Sequence, residues 1–134
     1  MRILTMDIGG TMIKSSMFDD KGCISDVRET PSRTVNESSL IVNAVSVADG
    51  YADFKAVGIA MTGQIDPRNQ TLLFEYGKRT TAAGAGIPIG QMLSDAIKKP
   101  VFLLNDANAA ALGEAKFGAG TEYDDFICLT YGTG

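Results

Sequence analysis

Ile3-Leu4-Thr5-Met6-Asp7-Ile8-Gly9-Gly10-Thr11-Met12-Ile13-Lys14-Ser15-Ser16-Met17-Phe18 is the stretch on which the fold turns. Ile3 to Ile8 is apolar and β-branched enough for a strand, Gly9-Gly10 breaks it, and Thr11 to Phe18 reads as a second strand. Asp19-Asp20-Lys21-Gly22 is a turn cluster, and a more polar third strand follows from Cys23 to Glu29. Three strands joined by two tight turns predict an antiparallel meander.

Beyond Glu29 the period changes. Asn36 is placed to cap a helix on which Leu40, Ile41, Ala44, Val45 and Ala48 recur at helical spacing, and Gly50 stands where a C-terminal cap belongs. Ala56 to Met61 is a short unbroken apolar run, the pattern of a strand covered on both faces. Thr62 to Gly86 is loop-rich, with a short hairpin at Asp66-Pro67-Arg68-Asn69 and a small-residue stretch from Thr80 to Gly86. Pro88 to Lys98 predicts a second helix whose apolar face is Ile89, Met92, Leu93, Ala96 and Ile97. Val101 to Leu104 is another buried-strand run, and Asn105-Asp106 opens an alanine-rich helix to Phe117, closed by Gly118 and Gly120. Phe126 to Thr130 predicts a last strand running into Tyr131-Gly132-Thr133-Gly134.

The order β-β-β-α-β-α-β-α-β makes this an α/β chain with a mixed sheet and helices on both faces. A meander joined to βαβ units is the layout of the ribonuclease H-like fold. With 134 residues, 45% of them hydrophobic and 21% charged, the chain is expected to form one globular domain with its own core.

Composition excludes several chemistries. A net charge of -4 and no basic run argue against a nucleic-acid surface. The absence of histidine removes Ser-His-Asp, Cys-His and histidine-ligated metal chemistry, leaving carboxylates, lysines and tyrosines for acid–base work. Cys23 and Cys128 lie far apart without ligand spacing, which suits a reduced, cytoplasmic setting. The N-terminal apolar stretch is broken at Asp7, too early for a signal peptide or a membrane span.

Asp7-Ile8-Gly9-Gly10-Thr11, with Lys14 on the return strand, is the sharpest chemical feature. Asp7 comes at the carboxyl end of a strand. Gly9-Gly10 permits a tight turn with positive φ, whose backbone N–H groups can approach phosphate oxygens. Thr11 adds a hydroxyl and Lys14 a positive charge. A carboxylate beside such a turn suits Mg²⁺, which is often held by one carboxylate together with phosphates and waters. The same residues also read as a plain hairpin with a Gly-Gly turn. Tyr131-Gly132-Thr133-Gly134 again sets glycines around a threonine after an apolar run, so the two turns together form a candidate phosphate clamp.

Asn105-Asp106-Ala107-Asn108 sits between a strand and a helix start, at the edge where open α/β sheets bind ligands. Asp106 is placed to act as a general base toward an attacking hydroxyl, and Asn105 to hold a substrate hydroxyl. The bland alternative is an ordinary helix cap. Thr62-Gly63-Gln64 lies at the same edge and is a candidate substrate contact or a simple turn. Glu114 reads as a solvated or locally paired helix residue, and Met12 and Met17 as packing residues.

Taken together and in this order, these features resemble the ROK family of bacterial sugar kinases and sugar-responsive transcriptional regulators, relatives of hexokinase and actin. Asp7-Ile8-Gly9-Gly10-Thr11 with Lys14 is similar to its first phosphate motif. Asn105-Asp106-Ala107-Asn108-Ala109-Ala110 with Gly113-Glu114 and Gly118-Ala119-Gly120 is similar to its catalytic segment. Leu129 to Gly134 resembles the start of its second phosphate motif. Asp125 to Thr130 is similar to the bacterial β-glucoside kinases of the family.

The resemblance implies an N-terminal actin-like ATPase domain over residues 1–134 of an ATP-dependent sugar kinase. Asp106 would be the base, Asn105 and Gly63 sugar contacts, and Asp7 the orienter of Mg²⁺. Gly9, Gly10, Thr11, Lys14, Gly132, Thr133 and Gly134 would surround the phosphates of ATP. It implies a second domain, absent from this chain, with the adenosine pocket and, in many members, a zinc site. These residues alone are then expected to be catalytically inactive, and the full-length form to be a cytoplasmic homodimer. A regulator of the family would carry a helix-turn-helix before the first strand, which begins here at residue 3. An actin-like or chaperone-like nucleotide switch is a third reading, disfavoured by Asn105-Asp106. Two departures stand out: Thr62-Gly63 where members often carry Pro-Gly, and Ala85-Gly86-Ile87-Pro88 where many carry a tryptophan and a polar sugar ligand.

Overall fold

A computed structural model describes residues 1–34, 36–75, 78–79 and 86–131. The meander forms as its turn chemistry dictates: β1 (Arg2–Ile8), β2 (Met12–Asp19) and β3 (Ile24–Pro31) pair antiparallel in sequence. Asp19 closes the second turn, its carboxylate Oδ1 accepting the Lys21 and Cys23 N–H groups at 2.9 Å each. β3 is exposed along its whole length, and Asp26, Arg28 and Glu29 keep this edge strand charged.

The remaining elements are α1 (Glu37–Asp49), β4 (Ala56–Met61), β5 (Gln64–Asp66), β6 (Thr71–Glu75), β7 (Lys78–Arg79), α2 (Ile89–Ile97), β8 (Val101–Asn105) and α3 (Asp106–Phe117). One 3₁₀ turn follows at Ala119–Glu122. β4 adds parallel to β1 and β8 parallel to β4, giving a five-stranded mixed sheet of order β3-β2-β1-β4-β8. This is the ribonuclease H-like sheet that the element order predicts. β5, β6 and β7 form a small separate antiparallel sheet around the Asp66–Asn69 turn.

Asn36 caps α1 as expected, with its side chain accepting from Ser39 N at 2.9 Å and the Ser39 hydroxyl receiving the Asn36 N–H in return. α1 and α2 pack against each other over one face of the sheet. That face carries the core: Leu4, Met6 and Ile8 of β1, Ile13 and Met17 of β2, Val57, Ile59 and Met61 of β4, and Leu103 of β8. Leu40, Ala44 and Val47 of α1 and Ile89 and Leu93 of α2 close over them. Full burial of each large aliphatic side chain contributes roughly 1.5–3 kcal/mol.

The structure corrects three expectations. The strands at Ala56–Met61 and Val101–Leu104 are closely packed on one face only: burial alternates along β4, and Phe102 of β8 is 61% exposed. α3 lies over the second face without burying any of its residues. It leaves a trough of about 590 Å³ lined by Gly58, Ala60, Phe102, Leu104 and Ala109. The apolar run misleads because its second-face residues in β4 are small, so they need little cover.

The second correction concerns Phe126–Thr130, which forms no strand. Phe126 packs instead on Gly120, where a Cβ would meet the ring at 2.8 Å, and Ile127 and Leu129 are 86% and 87% exposed. A strand exists only with a ladder partner, and these residues pair with none among the described residues. Thirdly, Gly9 and Gly10 do not have positive φ. The turn has three residues and closes through Gly9 N–H to Met12 C=O at 3.0 Å, which needs no left-handed backbone. Most of the small-residue loop, together with Gly132, Thr133 and Gly134, lies outside the described residues.

Candidate functional site

Parallel register puts the carboxyl ends of three strands in line. Ile8 of β1 faces Met61 of β4, and Met61 faces Asn105 of β8. The residues that follow each, Gly9-Gly10-Thr11, Thr62-Gly63 and Asp106, therefore emerge side by side at one edge. Asp7 lies one row below, beside Ala60 and opposite Lys14 on β2. β1 and β8 are two strand spacings apart, about 10 Å.

On the β1 side, Asp7 and Lys14 are both exposed and line the open trough. Among the described residues, the ion pairs are Met1–Asp20 and Asp26–Arg28, so neither Asp7 nor Lys14 is spent on one. Nothing lies within 4 Å of where a Cβ on Gly10 would stand, so the turn is open to an approaching group. Ser32, which sequence reasoning missed, holds this turn from behind. It is fully buried, its N–H donates to Thr11 C=O at 2.8 Å, and its own carbonyl accepts from the Asn43 amide and the Thr34 hydroxyl.

On the β8 side, Asn105 is the N-cap of α3, its Oδ1 accepting Ala107 N–H at 3.0 Å and Asn108 N–H at 3.2 Å. Its Nδ2 donates to the Gly63 carbonyl at 2.9 Å. Nδ2 carries a second proton that a ligand hydroxyl can accept. Asp106 opens the helix with an exposed carboxylate whose Oδ1 accepts Ala107 N–H at 2.8 Å and whose Oδ2 accepts the Thr62 hydroxyl at 3.3 Å. Gly63 has φ 120°, a conformation open to glycine and strained for other residues. The cap reading of Asn105 thus holds, and it coexists with a free amide proton at the edge.

A divalent cation here would find one carboxylate, Asp7, with no cage of three or more acidic, cysteine or histidine side chains among the described residues. One carboxylate plus phosphate and water oxygens is the donor set Mg²⁺ tolerates, so Asp7, Lys14 and the open Gly9-Gly10-Thr11 turn fit a Mg²⁺-bound polyphosphate.

The sequence model of the ROK family matches residues 3–134. The chain belongs to the ROK family. A glucokinase of Streptomyces coelicolor is 34% identical over 131 residues, 96% of this chain and 40% of that protein. A glucokinase of Thermotoga maritima is 30% identical over 139 residues, 100% of this chain and 43% of that protein. The crystal structure of a ROK family glucokinase from Streptomyces griseus in complex with glucose and AMPPNP superposes with a TM-score of 0.81 at 34% identity, covering 100% of this chain and 42% of that one. This ROK chain therefore spans about two fifths of the length of the relatives it matches.

Sequence reasoning brought Asp7, Gly9, Gly10, Thr11, Lys14, Gly63, Asn105 and Asp106 to this edge, and the structure gathers all of them there. It did not foresee the ties that join Thr62 to Asp106 and Asn105 to Gly63. Only the register of Met61 against Asn105 would have signalled them. Glu114 is locally paired, its carboxylate accepting Ala119 N–H at 2.8 Å, and stands apart from the edge. Among the described residues, no helix is long and apolar enough to cross a membrane.

Proposed function

We propose that this ROK chain is the N-terminal domain of an ATP-dependent sugar kinase, with Asp106 as general base. The observation that carries the reading is the convergence of an exposed, oriented carboxylate, Asp106, and an open turn, Gly9-Gly10-Thr11, at one sheet edge. Sequence identity of 34% to a glucokinase over 96% of the chain supports it.

In this reading Asp106 takes the proton of the attacking sugar hydroxyl as that oxygen bonds to the terminal phosphorus. The second Nδ2 proton of Asn105 donates to a neighbouring sugar hydroxyl, and the Gly63 backbone borders the sugar. Asp7 holds the cation, Lys14 offsets phosphate charge, and the Gly9-Gly10-Thr11 turn lines the phosphates, with the Gly9 N–H kept on the Met12 carbonyl. Gly132, Thr133 and Gly134, outside the described residues, are assigned to the phosphates on their resemblance to the second phosphate motif of the family. Bound ATP-Mg²⁺ supplies the phosphoryl group and the charge neutralisation, while ADP leaves with the β–γ bridging oxygen. The protein acts on a sugar in the cytoplasm as a homodimer, a setting that the free thiols of Cys23 and Cys128 suit.

The test is phosphoryl transfer by the complete gene product with ATP-Mg²⁺ and a panel of hexoses, N-acetylhexosamines and β-glucosides, beside Asp106→Asn. Turnover that collapses in the variant supports the assignment. Sugar binding without turnover on any sugar would move the function to sensing.

A further inference from the structure

We propose that Thr62 is a positioning residue for Asp106, with its hydroxyl fixing the plane of the carboxylate that takes the sugar proton. The inference rests on the reading of Asp106 as base. Asp106 is exposed at the first position of α3, and the terminal torsion of an aspartate is broad, so burial does not set its orientation. Two donors do. Ala107 N–H takes Oδ1 at 2.8 Å and Thr62 Oγ1 takes Oδ2 at 3.3 Å, one anchor for each oxygen.

The placement of that hydroxyl is itself fixed. Thr62 directly follows Met61, whose Cα faces Asn105 across the parallel ladder, so Thr62 and Asp106 are the first residues past the same row. The connection to β5 is only Thr62-Gly63, and Gly63 C=O is held by Asn105 Nδ2 at 2.9 Å. The two ties cross between the same residue pairs: the loop donates to Asp106, and Asn105 donates to the loop. Threonine is also stiff at χ1, so its oxygen keeps the direction the backbone gives it. With both oxygens anchored on one side, the remaining lone pairs point to the open edge where a sugar hydroxyl would arrive.

The variants are Thr62→Val, which keeps the shape and loses the donor, and Thr62→Ser, which keeps the donor, both in the complete protein. Misplacing a base by a fraction of an ångström costs rate rather than binding, so Thr62→Val is expected to lower kcat about ten- to a hundredfold with little change in sugar KM. Thr62→Ser recovers most of the rate. In an Asp106→Asn background, Thr62→Val adds no further loss, because the residue acts through Asp106. Unchanged kcat in Thr62→Val, equal losses in Val and Ser, or a raised KM at constant kcat would each overturn the proposal. If Asp106→Asn keeps full turnover, the base assignment itself fails, an outcome separate from Thr62→Val being silent while Asp106→Asn is dead. A crystal structure of Thr62→Val supplies a readout independent of turnover: the Asp106 carboxylate should take more than one orientation, and a single original orientation refutes the idea.

Discussion

Asn105 Nδ2 donates to the Gly63 carbonyl at 2.9 Å, while Asn105 Oδ1 receives two N–H groups from the first turn of α3. A single carboxamide therefore binds the loop after β4 to the helix that carries Asp106. A cap alone would use only the oxygen of Asn105. The nitrogen makes the residue a strap between two parallel strand ends.

Replacing it separates the two roles. Asn105→Ala loses both and should destabilise the protein by about 1–3 kcal/mol. Asn105→Asp keeps the capping oxygen and places negative charge at the helix N-terminus, but cannot donate to Gly63. It should fall between wild type and Asn105→Ala in chemical denaturation. An Asn105→Asp variant as stable as the wild type would mean that the strap contributes nothing, and equal losses in the two variants would assign the whole effect to the strap and none to the cap.

The Gly9-Gly10-Thr11 turn gives a contrast between neighbours. A Cβ on Gly10 meets nothing within 4 Å, and its φ is not positive, so Gly10→Ala should leave stability unchanged or raise it by about 0.5 kcal/mol. A Cβ on Gly9 would press on the Met12 carbonyl at 3.2 Å, so Gly9→Ala should cost some stability. If the open space beside Gly10 receives phosphate, Gly10→Ala raises the KM for ATP in the complete protein while its melting temperature holds. An unchanged nucleotide KM would remove the turn from the site.

Asp7 carries the other half of that claim. On the proposed function, Asp7→Asn keeps the strand and its ladder but loses the charge that would hold the cation. Loss of one preorganised charge at a phosphoryl-transfer site should lower kcat by roughly a hundredfold or more. It should also raise the Mg²⁺ concentration needed for half-maximal rate. A variant with normal Mg²⁺ dependence would move the metal elsewhere.

How much of this was legible depended on how local each signal is. Asn36, Asn105 and Gly118 set helix ends by chemistry within a few residues, and all three ends lie where the sequence puts them. The meander followed from Gly9-Gly10 and from Asp19-Asp20-Lys21-Gly22 for the same reason. Phe126–Thr130 has the composition of a strand but forms none, because strand formation needs a distant partner and the stretch itself says nothing of one. One-sided cover of β4 was hidden because Gly58 and Ala60 extend an apolar run without demanding burial. At the site, residue types announced Asp7, Asn105 and Asp106. The bonds from Thr62 to Asp106 and from Ser32 to Thr11 depend on tertiary register, which no short window contains.

Away from the site, Tyr51 ties three parts of the meander's flank. Its hydroxyl lies 2.9 Å from the buried Ser15 Oγ and donates to Asp26 C=O at 3.0 Å, and the Arg28 guanidinium stacks 4.2 Å over its ring. Tyr51→Phe keeps the ring and the cation–π contact but strands the Ser15 hydroxyl, at an expected cost of about 1–2 kcal/mol. Because Tyr51 packs behind the sheet, turnover per folded molecule should not change. A loss of turnover without a loss of stability would show that the flank communicates with the edge.

The hairpin between β5 and β6 makes stability depend on acid. Arg68 N–H, at 2.9 Å from Asp66 Oδ1, is the main cause holding the Asp66 carboxyl below its ordinary value of 3.8, helped by the Asn69 side-chain amide at 2.7 Å from Oδ2. Both donors favour the ionised form in the folded state, so the unfolded chain binds this proton more readily. The contribution is therefore fully present above the unfolded value and is lost as pH falls below about 4 through the lower folded value. Asp26, held down mainly by its hydrogen bond to Arg28, and Asp20, held down mainly by the N-terminal ammonium, act in the same direction. Asp66→Asn cannot titrate, so its melting temperature should drop less between pH 6 and pH 3 than that of the wild type, without becoming flat. Parallel drops would show that the Asp66 turn is equally formed with its carboxyl protonated.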